Sequence, residues 1–330
     1  MKKILLHLSY YLLLFYPQYR VHMPREASFM PQSLKISEEE QINYWLFTPK
    51  NASKDMPLIV SLHGGSGRGD DINTLTSSGF CQLVYEKKFD NVPAYMIFPQ
   101  VSSKYKSWND IKRYVKQLIE YTAKKYAIDV NKISLTGHSM GGTGTYSIAA
   151  AYPEIFSCIA PMSGSIDCTD ENITALSSMP VWAFAGTADT IVLPESSVNF
   201  VNALSNAGAN AKITLFDGAE HRDIPELAYL DDSINVVDWL IRNSKENAII
   251  GYSLNIITAN VRERGDYIVI IADYNGDGKL ADVRFIDKNF LCGINTIPAP
   301  DNIALETNDK IMIWRSAESL YLACNTYIIQ

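Results

Sequence analysis

Residues 133–142, Ile-Ser-Leu-Thr-Gly-His-Ser-Met-Gly-Gly, constrain the fold more than any other stretch of this chain. Ile133 to Leu135 reads as the end of a buried strand, and Gly142 to Tyr152 reads as a helix. Between them, Gly137-His138-Ser139-Met140-Gly141 has the G-x-S-x-G spacing of a nucleophile elbow, a tight strand-to-helix turn. The spacing has a steric basis. A serine held at a strained backbone angle leaves no room for side chains two residues before and after it, and glycine removes the collision. The turn would push the Ser139 hydroxyl into solvent at the sheet edge. It would also aim the Met140 N–H and the helix N-terminus at a developing oxyanion. A Gly-rich turn with a chance serine is the alternative, so the context must decide.

The context is an alternation of short apolar runs and helical patterns. Pro57 to Leu62 is a nearly unbroken apolar run, which suits a strand covered on both faces. Tyr95 to Phe98, Cys158 to Met162, Val181 to Ala185 and Ala211 to Phe216 read as further strands. Ile42 to Phe47 alternates like an edge strand, closed by Thr48-Pro49. Helical patterns fall at Ile111 to Tyr126 (with Asp110 as its cap), at Glu195 to Ala207 and at Ile234 to Asn243. Strands alternating with helices predict an α/β fold, a doubly wound and mostly parallel sheet. Ligand sites in such sheets lie beyond the carboxyl ends of the strands.

Three residues at strand ends then form a constellation. The chain has five histidines. His7 and His22 lie in the N-terminal stretch, His63 lies in the loop after Leu62, and His138 adjoins Ser139 and is sterically unsuited to deprotonate it. His221 alone lies downstream at a strand end, which fits the order serine, acid, histidine. Asp189 follows the strand that ends at Ala185 and lies between the two. Asp217, Glu220 and Asp223 are rivals, but all share the histidine's own loop, whereas Asp189 would grip the imidazole from a neighbouring strand. Trp108, following a strand end, and His138 are candidate walls of a substrate cleft.

Composition excludes several other functions. The formal charge of −7 argues against nucleic acid as the main partner. No C-x-x-C or paired Cys/His cluster suggests zinc, and neither G-x-G-x-x-G nor a Walker A sequence suggests a nucleotide. Cys81, Cys158, Cys168, Cys292 and Cys324 are odd in number and irregular in spacing, which favours buried free thiols over a disulfide framework. One Cys158–Cys168 bridge is the exception to consider. Residues 1–30 read as a leader. Lys2 and Lys3 precede an apolar run from Ile4 to Phe15 that resembles a secretory signal and is shorter than the ~20 residues a membrane span takes. Ala27-Ser28 is the nearest weak cleavage site, and the alternatives are an uncleaved anchor or translation from Met23 or Met30. Export is the favoured reading, with a cytoplasmic protein as the alternative.

Residues 37–243 resemble an α/β-hydrolase of the polyhydroxybutyrate depolymerase and feruloyl-esterase-like group. The likeness lies in Leu62-His63-Gly64-Gly65, in Ile133–Gly164 with Ala160-Pro161-Met162-Ser163-Gly164, and in Pro180–Val192 with Gly186, Asp189 and Val192. The resemblance implies a serine ester hydrolase acting on feruloyl, acetyl or other short acyl esters, polysaccharide-linked ones among them, and on hydroxyacid polyesters. It implies no cofactor. It also implies an oxyanion hole formed by the Met140 N–H and an N–H near Gly64 or Gly65. Relatives often follow the histidine with an aromatic residue, where this chain has Arg222-Asp223-Ile224, so the substrate is not specified. The alternatives are a serine peptidase of the prolyl-oligopeptidase type and a hydrolase-like binding protein without turnover.

Arg242 to Asn247 is a charged boundary between a catalytic region, 31–247, and a last stretch, 248–330. Tyr267 to Ala272, Ala281 to Ile286 and Ile311 to Trp314 predict a small all-β, sandwich-like module, a candidate for attaching the chain to a surface or glycan. Within it, Asp273-Tyr-Asn-Gly-Asp-Gly278 opens like a calcium-binding EF-hand loop. However, Arg284 stands where a bidentate glutamate belongs, and Asp-Gly between strands favours a hairpin turn.

Overall fold

A computed structural model describes residues 26–253, 256–299, 305–315, 321–324 and 326–329. The leader pattern up to residue 25, with His7 and His22, lies outside the described residues. Eight strands form one sheet: β1 (Ser28–Lys35), β2 (Gln41–Thr48), β3 (Leu58–Leu62), β4 (Tyr95–Pro99), β5 (Ile133–His138), β6 (Cys158–Met162), β7 (Val181–Gly186) and β8 (Ala211–Phe216). Their spatial order is β1-β2-β4-β3-β5-β6-β7-β8. β1 and β2 run antiparallel to their neighbours, and every later pairing is parallel. β2 is therefore not the edge strand that its alternation suggests. β1 covers it in full register, Ser28 against Thr48 through Lys35 against Gln41, and most of β2 is buried. β1 also reaches into the stretch read as leader.

Among the described residues, seven α-helices cover the sheet: α1 (Gly79–Tyr85), α2 (Trp108–Tyr126), α3 (Met140–Ala151), α4 (Asp170–Leu176), α5 (Pro194–Asn206), α6 (Ile224–Leu230) and α7 (Val236–Arg242). Strand periodicity divides the apolar residues between two cores. Leu58, Val60 and Leu62 of β3 pack with Val115 and Leu118 of α2 and Tyr146 of α3 on one face. Ile59, with Met96 and Phe98 of β4, packs with Phe80 of α1 and Tyr229 of α6 on the other. Both faces are covered, so the inner strands β3, β4, β6 and β7 are buried throughout and carry nearly unbroken apolar runs.

The start of α2 departs from expectation. Ser107 is its N-cap, and the Asp110 carboxylate reaches back to accept from the Lys106 and Ser107 N–H groups at 2.8 and 3.0 Å. That reciprocal arrangement supplies partners for donors which the first turn leaves unpaired. The helix therefore begins at Trp108, three residues earlier than the periodicity indicates.

Beyond α7 the chain is antiparallel β. β9 (Ala248–Ser253), β10 (Ile256–Val261) and β13 (Gly293–Pro298) form one sheet. β11 (Gly265–Tyr274), β12 (Leu280–Phe290), β14 (Lys310–Arg315), β15 (Tyr321–Leu322) and β16 (Tyr327–Ile328) form another. Ile257, Val261 and Ile297 of the first sheet share a core with Val269, Ile271 and Ile313 of the second. The Asp273–Gly278 loop is the turn of the β11–β12 hairpin, and the Asn275 side-chain oxygen accepts from the Asp277 and Lys279 N–H groups at 3.2 and 2.9 Å. All five cysteines are free. Cys168 is exposed and the other four are buried. Among the described residues, no helix is long and apolar enough to cross a membrane.

Candidate active site

The strand order reverses direction around β3. The chain steps from β3 to β4 on one side, then crosses to β5 on the other. The loops after β3 and β5 are thereby left facing each other at one sheet rim, with Leu62 in register with Gly137. A crevice at such a reversal is where ligands bind in open α/β sheets.

Ser139 sits between β5 and α3 at φ 59° and ψ −120°. This is the left-handed side of backbone space, which costs a non-glycine residue on the order of 1 kcal/mol or more. The flanking glycines make the turn feasible. A Cβ on Gly137 would lie 2.7 Å from the Leu62 carbonyl oxygen, and one on Gly141 only 2.1 Å from the same atom. The steric account of the G-x-S-x-G spacing therefore has an identified obstacle, the end of β3.

Three side chains distant in sequence meet there. The His221 Nε2 lies 2.8 Å from the Ser139 Oγ, and its Nδ1 lies 2.7 Å from an Asp189 carboxylate oxygen. Because the carboxylate only accepts, Nδ1 carries the proton and Nε2 is free to accept from the serine hydroxyl. Asp189 is 2 % exposed. Burial pushes its carboxyl pKa upward, but the bonds from His221 and from the Val192 and Ile191 N–H groups oppose it, and the pKa is held below the ordinary carboxylate value. The two N–H groups each donate to the other carboxylate oxygen at 2.9 Å, leaving the second oxygen aimed at the imidazole.

The loop after β3 is held by His63. Its Nε2 accepts from the Val101 N–H at 3.0 Å, so the ring proton is on Nδ1 and is donated to the Gly64 carbonyl at 2.6 Å. Burial pushes this histidine's pKa down to about 4 and keeps it neutral. Gly64 lies beside Ser139, since a Cβ built on it would be 3.5 Å from the Ser139 Cβ. Gly65 lines the same cleft and opens a short 3-10 turn, Gly65–Gly67. Met140 is the first residue of α3, and its side chain packs down onto the core.

The cleft has a volume of about 390 Å³. Leu75, Phe80, Phe98, Pro225, Tyr229 and Ile191 supply its apolar wall. Phe80 and Tyr229 stack with ring centres 4.1 Å apart. They come from α1 and α6, and nothing local in either segment ties one to the other, so sequence reading passes over both. His138 also lines the cleft, with its Nε2 2.8 Å from the His221 carbonyl oxygen.

Trp108 does not line the cleft. It is 1 % exposed, its ring packs against Gly144 of α3, and its indole N–H donates to the His63 carbonyl at 3.1 Å. The earlier helix start explains the correction. Residue 108 belongs to the first turn of α2 and not to a loop, so its ring is carried under the β3 loop, where it serves as a buttress. Among the described residues there is no cluster of acidic, histidine or cysteine side chains fit for a metal.

Known proteins with similar sequences are consistent with this geometry. The chain is 29% identical over 124 residues to a bifunctional acetylxylan esterase/xylanase, XynS20E, of Neocallimastix patriciarum, covering 36% of this chain and 17% of that protein. It is also 29% identical over 130 residues to poly(3-hydroxyalkanoate) depolymerase C of Paucimonas lemoignei, covering 35% of this chain and 30% of that one. The chain thus spans less than a third of either relative. A solved thermostable esterase superposes with a TM-score of 0.56 at 25% identity, covering 66% of this chain and 63% of the other. Residues 42–224, which hold Ser139, Asp189 and His221 and make up more than half of the sequence, match the dienelactone hydrolase family, and the chain belongs to that family.

Proposed function

We propose that the protein is a serine hydrolase of carboxylic esters, with Ser139, His221 and Asp189 as its catalytic triad. The observation that carries the reading is the unbroken line of bonds from Asp189 through His221 to Ser139, at 2.7 and 2.8 Å. A serine hydroxyl is a weak nucleophile until its proton is removed during attack. His221 takes that proton as Oγ bonds to the ester carbonyl carbon, then passes it to the departing alkoxide as the acyl-enzyme forms. Water repeats the sequence and releases the acid. Asp189 keeps the imidazole proton on Nδ1 and stabilises the cation that forms in each half-reaction. The Met140 N–H and an N–H of the Gly64–Gly65 segment serve as oxyanion donors, each worth about 3 kcal/mol to the transition state.

The named activities of the two relatives, on acetylated xylan and on a hydroxyacid polyester, support ester substrates over peptides. The apolar cleft beside Ser139 would take a short acyl or aromatic group, with polysaccharide-linked acetyl or feruloyl esters as the natural candidates. In this reading the catalytic unit begins with β1 at Ser28 and runs to residue 247, 248–330 is an accessory β module that attaches to a surface or glycan, and the stretch before β1 is a leader for export.

A panel of p-nitrophenyl acyl esters and methyl ferulate, run with the wild type and Ser139→Ala, tests the proposal. Turnover should be present in the wild type and absent in the variant, with unchanged thermal unfolding. Equal turnover in the two proteins would remove Ser139 from the mechanism.

A further inference from the structure

His138 and His221 are neighbours in space, with tilted rings. Their ring centres are 4.6 Å apart and tilted by 44°. The His138 Nε2 contacts the backbone carbonyl of His221, which can only accept, so Nε2 carries the ring proton. Burial first, and then the nearby His221, push the His138 pKa down to about 4, against smaller opposing effects of its bond to the His221 carbonyl and of Asp189. At neutral pH the ring is uncharged and its single N–H is already used. That argues against a substrate-binding N–H at this residue.

The loop carrying His221 is tied firmly to the acid's side of the site. The Ala188 N–H donates to the Ala219 carbonyl at 3.1 Å, and the Gly218 N–H to the Thr187 hydroxyl at 2.8 Å. Towards the nucleophile's strand the side-chain bonds are fewer. Among the described residues they are the Ser139–His221 contact itself and the His138 bond to the His221 carbonyl. The first of these must break and re-form in every cycle, because the serine loses its proton during attack. The second involves no reacting atom, so no step of that chemistry requires it to break.

We propose that His138 is a positioning residue whose Nε2–H pins the backbone of His221 to the nucleophile elbow, so that the imaginary line from Asp189 to Ser139 stays fixed while protons move along it. This assignment rests on the triad reading above. A misplacement of about 1 Å can cost on the order of a hundredfold in rate, so a tie at the histidine's own carbonyl acts on kcat before it acts on binding.

The test compares His138→Phe, which fills the same space without a donor, with His138→Gln, whose amide restores one. Both are assayed on p-nitrophenyl acetate and for the rate of Ser139 labelling by a fluorophosphonate. Expected for His138→Phe is a fall in kcat of roughly ten- to a hundredfold with KM within about twofold, and a matching fall in labelling rate. His138→Gln should recover most of both. His138→Leu replaces the phenylalanine variant if that one does not fold. An undiminished kcat in the donor-less variant, a loss confined to KM, or a glutamine variant as slow as the phenylalanine one would each overturn the assignment. Ser139→Ala separates this outcome from failure of the triad itself: if the alanine protein turns over, the triad is wrong, and if only the His138 comparison fails, the triad stands.

Discussion

Lowering the pH from 7 to 5 should cost this fold about 4 kcal/mol through His63 and His138 together. Burial pushes both folded-state pKa values down to about 4, from an ordinary value of 6.5. Unfolding returns both to water, where they take up protons as the pH drops through the ordinary value. The unfolded chain therefore binds more protons than the folded one between pH 6.5 and 4, and stability declines as pH falls across that window. At pH 5 each histidine is about 1.5 units below its unfolded pKa and still above its folded one, which is worth about 2 kcal/mol apiece. Asp189 acts in the same direction only at lower pH, because its carboxyl is held below an ordinary value of 3.8. Urea unfolding followed by tryptophan fluorescence at pH 7 and pH 5 provides the assay. The midpoint should fall by on the order of 1 M, given the slopes usual for domains of this kind. His138→Gln removes one of the two titrating rings, so the gap between variant and wild type should shift by about 2 kcal/mol over the same interval, in the variant's favour at the lower pH. A gap that does not change with pH would refute the claim that His138 is held neutral by its surroundings.

Two further substitutions probe the site and its scaffold. Asp189→Asn should leave the fold in place while kcat falls by about 10⁴-fold, since an amide at this position favours the wrong imidazole tautomer; steady-state kinetics on p-nitrophenyl acetate would read the loss. Gly141→Ala should lower the thermal midpoint and abolish turnover, because its methyl group would lie 2.1 Å from the Leu62 carbonyl oxygen, a backbone atom that can yield only by shifting β3. Retention of wild-type melting and activity would show that the elbow has more room than this geometry allows.

What could be read from the chain alone follows a physical division. The elbow was legible because its chemistry is local. A strained serine needs small neighbours at fixed offsets, and Gly137 and Gly141 answer that need within five residues. The inner parallel strands were legible because burial on both faces leaves a nearly unbroken apolar run, as in Leu58–Leu62. Asp189 and His221 were legible through their order and their place at strand ends, and the structure brings both to Ser139. The Trp108 reading failed at an element boundary, where one capping serine shifted the helix start by three residues and turned a cleft-wall candidate into a buried support. β2 was misplaced at the sheet edge because β1 does not advertise itself. Ser28–Lys35 carries a proline, and few of its side chains are sheltered, so no apolar alternation marks it. The tautomers of His63 and His138 were beyond reach, because they are set by backbone groups of Val101 and His221 that only the tertiary fold supplies.

That outer strand has a consequence for how far the chain tolerates trimming. The Phe29 ring stacks on Trp45 at 4.7 Å and meets Phe98 edge-on at 5.6 Å, and Phe98 is itself part of the cleft wall. Cleavage after Ala27 would spare this aromatic stack, whereas a polypeptide beginning at Met30 would lack its outermost ring and strip packing from Trp45 and Phe98.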